Sequence, residues 1–162
     1  MPKTSAGLLL FKRGLNATDL LVLLVHPGGP FFARKDLGSW SIPKGEAEPG
    51  EDLVAVARRE FEEEIGMAAP REGLVALGEI KQAGGKRVYA FAVEGDLDPA
   101  SIRSNTFEIE WPPASGSRRS FPEIDRAEWF DLALARDKIN PAQRAFIERL
   151  LQAIGSNPIR SD

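Results

Sequence analysis

The sequence predicts a single α+β domain, also describable as a layered α/β/α arrangement. Short apolar runs bounded by Gly, Pro and Asn recur along the chain, as antiparallel strands joined by turns require. A few segments instead carry apolar residues at helical spacing. At 162 residues and 43% hydrophobic content the chain can bury one core but is short for two domains, and no repeat or linker divides it. We therefore expect one domain over residues 1–162.

Seven runs have the length and composition of strands. A turn should join the first two, and Gly84 and Gly85 should join the fourth to the fifth. Residues 27–38 and 112–123 are rich in turn residues and are predicted to be loops. The predicted strands are residues 6–12, 20–26, 39–42, 74–82, 87–94, 106–111 and 127–130.

Three helices are predicted. The first covers residues 51–65, with Glu51 and Asp52 in its first turn and Gly66 as its left-handed stop. A short helix follows at residues 132–138. Asn140 and Pro141 have the character of a cap and a first helical residue, so a last helix should run from there to about residue 154, before a fraying tail at 156–162.

Composition excludes several classes of protein. The chain has no cysteine, which rules out disulfides, thiolate metal sites and a thiol nucleophile. Its net charge of −3 and isoelectric point near 5.4 are far from those of a nucleic-acid-binding domain. We find no signal peptide or apolar span, so a soluble cytoplasmic protein without membrane contact is expected.

The first predicted helix carries an unusual cluster of charge. Glu60, Glu63 and Glu64 are related as i, i+3 and i+4, so they share one face while the apolar residues line another. Like charges at these spacings cost about 0.2–0.5 kcal/mol per pair, and they lie in the last turns, where the helix dipole favours cations. A divalent cation such as Mg²⁺ or Mn²⁺ would resolve this conflict.

The same segment, residues 45–67, matches every defined position of the Nudix box, GX5EX7REUXEEXGU. The chain therefore resembles a Nudix hydrolase. This resemblance implies the Nudix fold, a mixed sheet between helices, and Mg²⁺-dependent hydrolysis of a pyrophosphate bond in a nucleoside diphosphate linked to another group. The matching residues are Gly45, Glu51, Arg59, Glu60, Phe61, Glu63, Glu64, Gly66 and Met67.

The resemblance also implies roles for individual residues. Glu60, Glu63 and Glu64 would bind the metal together with the backbone carbonyl of Gly45. Glu51 and Arg59 would form an ion pair that fixes the loop on the helix and aims Glu64; the alternative for both is an ordinary surface pair.

A carboxylate outside the box should complete the site. In the family a glutamate just before the last strand often does so, about six residues ahead of a tryptophan, and Glu123 precedes Trp129 by that distance. We expect Glu123 to be a metal ligand or the base that activates water. The rivals are Glu108, Glu110 and Asp125, and the alternative for Glu123 itself is an exposed loop residue.

Substrate contacts are predicted at six residues. The phrase WSIPKG, from Trp40 through Lys44, is similar to the lead-in of the Nudix subgroup acting on dinucleoside polyphosphates and diphosphoinositol phosphates. Phe31 and Phe32 could stack on a base or instead fold onto the core. Lys81 and Arg87, at a hairpin tip, could face phosphates or simply be solvated.

The only histidine, His26, is expected to be structural. The best substrate candidate is a dinucleoside polyphosphate, a small-molecule phosphate anhydride, acted on by a monomer or homodimer. A house-cleaning nucleoside triphosphate pyrophosphohydrolase and a non-catalytic nucleotide-binding module remain as alternatives.

Overall fold

The computed structural model describes residues 3–14 and 19–155. Its strands are β1 (Thr4–Arg13), β2 (Leu20–Pro27), β3 (Lys44–Glu46), β4 (Val75–Lys81), β5 (Arg87–Glu94), β6 (Thr106–Glu110), β7 (Arg118–Pro122) and β8 (Ile124–Asp131). Its α-helices are α1 (Leu53–Ile65), α2 (Leu132–Lys138) and α3 (Arg144–Gly155). The predicted tail at 156–162 lies outside the described residues.

A mixed sheet lies between helices, so the predicted fold class is confirmed. In the described residues the sheet has the order β4-β5-β1-β2-β8, with β3 pairing with part of β1. β1 runs parallel to β5 and antiparallel to β2 and β3. Both faces are covered: Leu8 and Leu10 of β1 belong to the cluster under α1, whereas Leu9 and Phe11 belong to the cluster under α2 and α3.

Helix α1 forms largely as predicted. Its apolar stripe of Val56, Ala57, Phe61 and Ile65 is fully buried against the sheet. Gly66 ends the helix with φ of 86°, and its N–H donates to the Glu62 carbonyl at 2.7 Å.

The start of α1 differs from the prediction. Asp52 is the N-cap, and its carboxylate accepts from the Ala55 N–H at 3.3 Å. Glu51 and Asp52 therefore precede the helix instead of filling its first turn, which leaves Glu51 free to bond within the preceding loop.

The second face of the sheet is covered by α2 and α3. Asn140 caps a single 3-10 turn, Pro141–Gln143, by accepting from the Ala142 N–H at 2.9 Å, and α3 continues from it. Phe146, Ile147 and Leu150 of α3 are completely buried in the core cluster there. None of the helices in the described ranges has the length and hydropathy that crossing a bilayer demands.

Two strand predictions were wrong in opposite ways. Residues 39–42 form only isolated bridges, Val25 with Ser41 and Trp40 with Ile139. Ser41 lies beside β2 beyond the residues through which β2 pairs with β1, so the segment enters the gap between these strands without forming a ladder of its own. Residues Lys44–Glu46, which none of the predicted strands includes, form the strand β3, since Gly45 lies opposite Ala6 in β1.

The segment 112–123 was predicted to be one long loop, but its second half is the strand β7. β7 pairs with β6 in a separate two-stranded hairpin, with Phe107 opposite Phe121 and Glu110 opposite Arg118. The turn residues are thus confined to 111–117. β8 is also longer than the predicted strand at 127–130, because pairing with β2 extends over its whole length.

Candidate active site

The last turns of α1 lie against β3, which brings two box glutamates to the backbone of that strand. A Cβ on Gly45 would collide with the Glu60 carboxylate, so the absence of a side chain at Gly45 lets this carboxylate lie against the strand. The Lys44 N–H donates a hydrogen bond to the Glu64 carboxylate. Glu60 and Glu64 therefore both lie against the backbone of β3, at Gly45 and Lys44 respectively.

Electrostatic stress is concentrated at Glu64. Its side chain is buried, and burial raises its pKa to about 8, with Glu123 and Glu60 adding to the rise and Lys44 opposing it. Burial also raises the pKa of Glu60, assisted by the charge of Glu63. The pKa of Lys44 is lowered, first by burial and then by Lys86. The site thus holds carboxylates that need a positive neighbour.

The segment just before Lys44 is anchored by a buried glutamine that the sequence did not single out. Gln143 is completely buried, and its Oε1 accepts from the Ile42 N–H at 3.1 Å. Its amide also donates to Ser41 Oγ and to Gln82 Oε1. In addition the Pro43 carbonyl accepts from the Leu8 N–H at 3.0 Å. No local signal in the sequence marks Gln143, because its partners are far away along the chain.

Glu51 and Arg59 form the predicted ion pair, with Nη1 and Oε2 2.8 Å apart. This bond lowers the pKa of Glu51 and raises that of Arg59. Glu51 also accepts from the Glu48 N–H at 2.7 Å, which ties the loop to the helix. Arg59 lies 3.6 Å from Glu60, so the pair steadies Glu60, whereas the prediction was that it would aim Glu64.

Glu123 is held beside the box glutamates by its backbone. Its N–H donates to the Asn105 carbonyl at 2.8 Å, and the Asn105 N–H donates to the Glu63 carbonyl at 3.0 Å. Its charge raises the pKa of Glu60 and Glu64, while burial and Glu63 raise the pKa of Glu123 itself. The structure therefore brings Glu123 to the same end of α1.

The three rivals of Glu123 have other partners. Glu108 pairs with Arg118 at 3.3 Å, and Glu110 accepts from the Gly116 N–H at 2.7 Å within the hairpin turn. Asp125 accepts from His26 Nδ1 at 2.9 Å.

His26 has the structural role that the sequence predicts. It is completely buried, and its Nε2 donates to the Lys35 carbonyl at 2.7 Å while Nδ1 contacts Asp125. The ring thereby ties the loop between β2 and β3 to the start of β8.

Trp40 does not face a substrate, contrary to the prediction. Its side chain is 1% exposed, its ring contacts Phe130 edge-on at 5.0 Å, and its indole N–H donates to Asp36 at 2.8 Å. The WSIPKG phrase thus begins with a core residue.

Both phenylalanines of the loop stay away from the core. Phe31 is 62% exposed and lies edge-on to Trp111, with the ring centroids 5.4 Å apart. Phe32 is half-buried under Lys35, whose Nζ is 5.4 Å from the ring centroid.

The basic residues at the tip of the β4–β5 hairpin are Lys81 and Arg87, predicted above, and their neighbour Lys86. Lys81 and Arg87 are exposed and face each other across the ladder, and Arg87 pairs with Glu79 at 3.6 Å. Lys86 instead lies close enough to Lys44 to lower its pKa. Of this cluster, Lys86 is the residue that extends toward the box.

The donor set fits a hard divalent cation. Carboxylates and the Gly45 carbonyl supply oxygen atoms only, as Mg²⁺ and Mn²⁺ prefer. Within residues 3–14 and 19–155, no three carboxylate or imidazole groups lie close enough together to share one ion. The glutamate side chains would have to rotate toward each other to enclose a cation.

The family follows from this fold and this box. The family model described as the NUDIX domain matches residues 1–150, so the chain belongs to the NUDIX family, and the resemblance seen in the sequence is confirmed. A 60-residue stretch is 38% identical to an RNA pyrophosphohydrolase of Erythrobacter litoralis (strain HTCC2594). That match covers 34% of this chain and 37% of the relative's length.

Solved structures show the same fold. A mutT/nudix family protein from Listeria innocua has a TM-score of 0.64 at 18% identity, covering 98% of both chains. An Ap4A hydrolase of C. elegans, in a binary complex, has a TM-score of 0.62 at 19% identity, covering 94% of this chain and 98% of that one.

Proposed function

We propose that this protein is a divalent-metal-dependent pyrophosphohydrolase that cleaves a phosphoric anhydride bond in a nucleoside diphosphate linked to another group. The observation that carries this proposal is that Glu60 and Glu64 lie against the backbone of β3 at Gly45 and Lys44, close enough to Glu123 for its charge to raise the pKa of both. A solvated acidic surface would not bury Glu64 or hold the Glu60 carboxylate against the backbone at Gly45. Membership of the NUDIX family supports the same reaction class.

Each residue of the site is proposed to have a role that follows from its position. Mg²⁺ or Mn²⁺ would be held by carboxylates and the carbonyl of Gly45, and the chemistry it would supply is neutralisation of charge on the phosphate oxygens and polarisation of a water. Lys44 and Lys86 supply positive charge beside the phosphate chain. Arg59 and Glu51 keep Glu60 in place. The proposed metal-binding side chains are Glu60, Glu63 and Glu64, and Glu123 is proposed as a further ligand or as the base described next.

Glu123 is proposed to act on the opposite side from the helical glutamates. It comes from a separate element, so it can meet a water that the α1 side chains do not reach. One oxygen of its carboxylate would take the proton of that water as the oxygen attacks phosphorus. The hydrogen bonds that join the backbone of Asn105 to the backbone of Glu63 and Glu123 hold Glu123 beside α1. These bonds do not use the Glu123 side chain, which stays available for the reaction.

The proposed substrate is a dinucleoside polyphosphate, handled by a single domain over residues 1–162. The WSIPKG phrase supports it in part, since Lys44 lies at the site even though Trp40 is buried. The exposed Phe31 supports it independently, because an exposed aromatic ring is suited to stacking on a nucleobase. An RNA 5′ end and a nucleoside triphosphate are the competing substrates.

The test is a substrate panel with matched variants. Diadenosine tetraphosphate, a nucleoside triphosphate, ADP-ribose, a diphosphoinositol phosphate and a 5′-triphosphorylated RNA should be compared by kcat/KM in Mg²⁺ and in EDTA. Glu63→Gln should lose activity by about 10²-fold or more, and Glu62→Gln, an exposed neighbour on α1, should not. Equal activity of both variants, or full activity in EDTA, would refute the proposal. Nucleotide binding without any turnover would instead favour the binding module.

A further inference from the structure

The β6–β7 hairpin has one aromatic face. Opposite residues in an antiparallel ladder share a face, and residues alternate along each strand. Phe107 and Phe121 are opposite each other, as are Ile109 and Arg119. Trp111 follows on the same side, and its N–H donates to the Ser117 carbonyl at 2.8 Å. The opposite face carries Glu108, Glu110 and Arg118.

The loop between β2 and β3 lies against that aromatic face. A Cβ on Gly29 would meet the Phe107 ring at 2.9 Å, so the start of the loop packs closely on the hairpin. Further along, Phe31 contacts Trp111 edge-on, with an angle of 81° between the rings. Because the contact is edge-on and Phe31 is 62% exposed, one face of the Phe31 ring remains open.

The loop that carries Phe31 is anchored at several points. His26 donates to the Lys35 carbonyl, and Asp36 accepts from the Trp40 indole and pairs with Lys138. The Lys35 N–H also donates to the Phe32 carbonyl at 3.0 Å. An exposed ring on an anchored loop loses little conformational entropy when a ligand stacks on it.

The β6–β7 hairpin starts beside the C-terminal end of α1, where Glu63 and Glu123 lie. Asn105, which bonds to both Glu63 and Glu123, immediately precedes β6. From Asn105 to Trp111 the strand advances 111 − 105 = 6 residues, at most about 20 Å at roughly 3.4 Å per residue. A base at Trp111 would therefore have to be joined to the reacting phosphorus by an extended phosphate chain.

The side chain of an arginine, Arg119, lies on the hairpin between the level of Asn105 and that of Trp111. Arg119 is exposed on the aromatic face, and in the described residues its guanidinium makes no hydrogen bond or ion pair. Arg118, next to it but on the other face, pairs with Glu108 at 3.3 Å. Arg119 is thus placed to contact phosphates that extend from the carboxylates toward Trp111.

We infer that Phe31 and Trp111 form a stacking subsite for a nucleobase, with Arg119 contacting the phosphate chain that leads to it. This inference rests on the proposed function for the location of the reacting phosphate. It explains substrate choice: the subsite favours an anhydride whose base is several phosphates away from the bond that is cleaved, as in a dinucleoside polyphosphate.

Binding in EDTA tests the subsite without turnover. Diadenosine tetraphosphate and inorganic tetraphosphate should be titrated by calorimetry into the full chain and its variants. Phe31→Ala and Trp111→Ala should weaken the dinucleotide roughly 5- to 150-fold, the range typical of base stacking, and leave inorganic tetraphosphate unchanged. Arg119→Gln should weaken both ligands.

Matched controls come from the same elements. Leu37→Ala removes a 70% exposed apolar side chain from the same loop and should bind like the parent. Arg118→Gln alters the adjacent arginine on the other face and should also be neutral. Phe31→Leu keeps apolar volume but loses the flat ring, so it separates stacking from any loss of loop structure, and it should bind weakly like Phe31→Ala.

The outcomes separate this inference from the proposed function. If the dinucleotide binds Phe31→Ala, Phe31→Leu and Trp111→Ala as it binds the parent, the subsite is refuted even where hydrolysis is observed. The same conclusion follows if Leu37→Ala weakens binding as much as Phe31→Ala. If base-dependent binding is found but no anhydride is cleaved, the subsite stands and the proposed reaction fails.

Discussion

Replacing Glu64 with glutamine should make the metal-free protein more stable at pH 8 and flatten the pH dependence of its stability. The folded chain holds the Glu64 proton with a pKa of about 8, whereas the ordinary value for glutamate is 4.5. Between these pH values the folded state binds more protons than the unfolded state. The free energy of unfolding therefore falls as the pH rises from about 4.5 to about 8.

The size of this loss follows from the two pKa values. One pKa unit corresponds to about 1.4 kcal/mol, so the loss at pH 8 is on the order of 4 kcal/mol. Domains of this size are stabilised by roughly 5–15 kcal/mol in total, so the effect is readily measurable. The raised pKa of Glu60 acts in the same direction, whereas the lowered pKa of Lys44 acts in the opposite sense and toward alkaline pH.

Urea unfolding in EDTA at pH 5, 6.5 and 8 would measure this. The parent should lose stability across the series, Glu64→Gln should lose much less, with a residual slope from the raised pKa of Glu60 and Glu123, and Glu62→Gln, exposed on the same helix, should follow the parent. Adding Mg²⁺ should stabilise the parent more at pH 8 than at pH 5, because metal ligands must be ionised. Parallel curves for the parent and Glu64→Gln would show that burial does not hold the Glu64 proton.

Three further changes test the arrangement. Glu123→Gln should lower kcat by about 10²-fold with KM and Tm nearly unchanged, while Glu110→Gln should remain active; the reverse result in a steady-state assay would move the role to β6. Gly45→Ala should displace the Glu60 carboxylate and remove the rise in Tm on adding Mg²⁺, and an unchanged rise would contradict this. His26→Ala should cost roughly 2–4 kcal/mol in urea unfolding, because it leaves buried partners unpaired; parental stability would show that this tie is not needed.

The sequence was sufficient for the helix and its acids because their signals are local. Asp52 caps the start of α1 and Gly66 caps its end. The spacing of Glu60, Glu63 and Glu64 alone places them on one face of the helix. Glu123 could be proposed only through its distance from Trp129, which the family resemblance supplied. Its position beside the box depends on backbone bonds that no residue type reveals.

Elements defined by long-range pairing were not predictable in the same way. Lys44–Glu46 has the composition of a turn and becomes a strand only because β1 lies alongside it. Likewise, Arg118–Pro122 forms β7 because β6 offers it a partner. Trp40 belongs to a phrase that suggested ligand contact, yet its surroundings are set by His26 and Phe130, which are distant in the chain.

The C-terminal end of α1 connects the box to the β6–β7 hairpin, which is proposed to contact the substrate. A helix leaves its last carbonyls without partners, and here the Glu63 carbonyl accepts from Asn105 and the Ile65 carbonyl accepts from Arg103. The segment before β6 is therefore held by the same turn of α1 that carries the glutamates proposed to bind the metal. Since the bonds use only backbone atoms, the hairpin beyond Asn105 can change in length and side chains without moving Glu123. The box residues proposed to carry the reaction and the hairpin residues proposed to select the substrate are thus separate. The backbone hydrogen bonds of Asn105 connect the two groups.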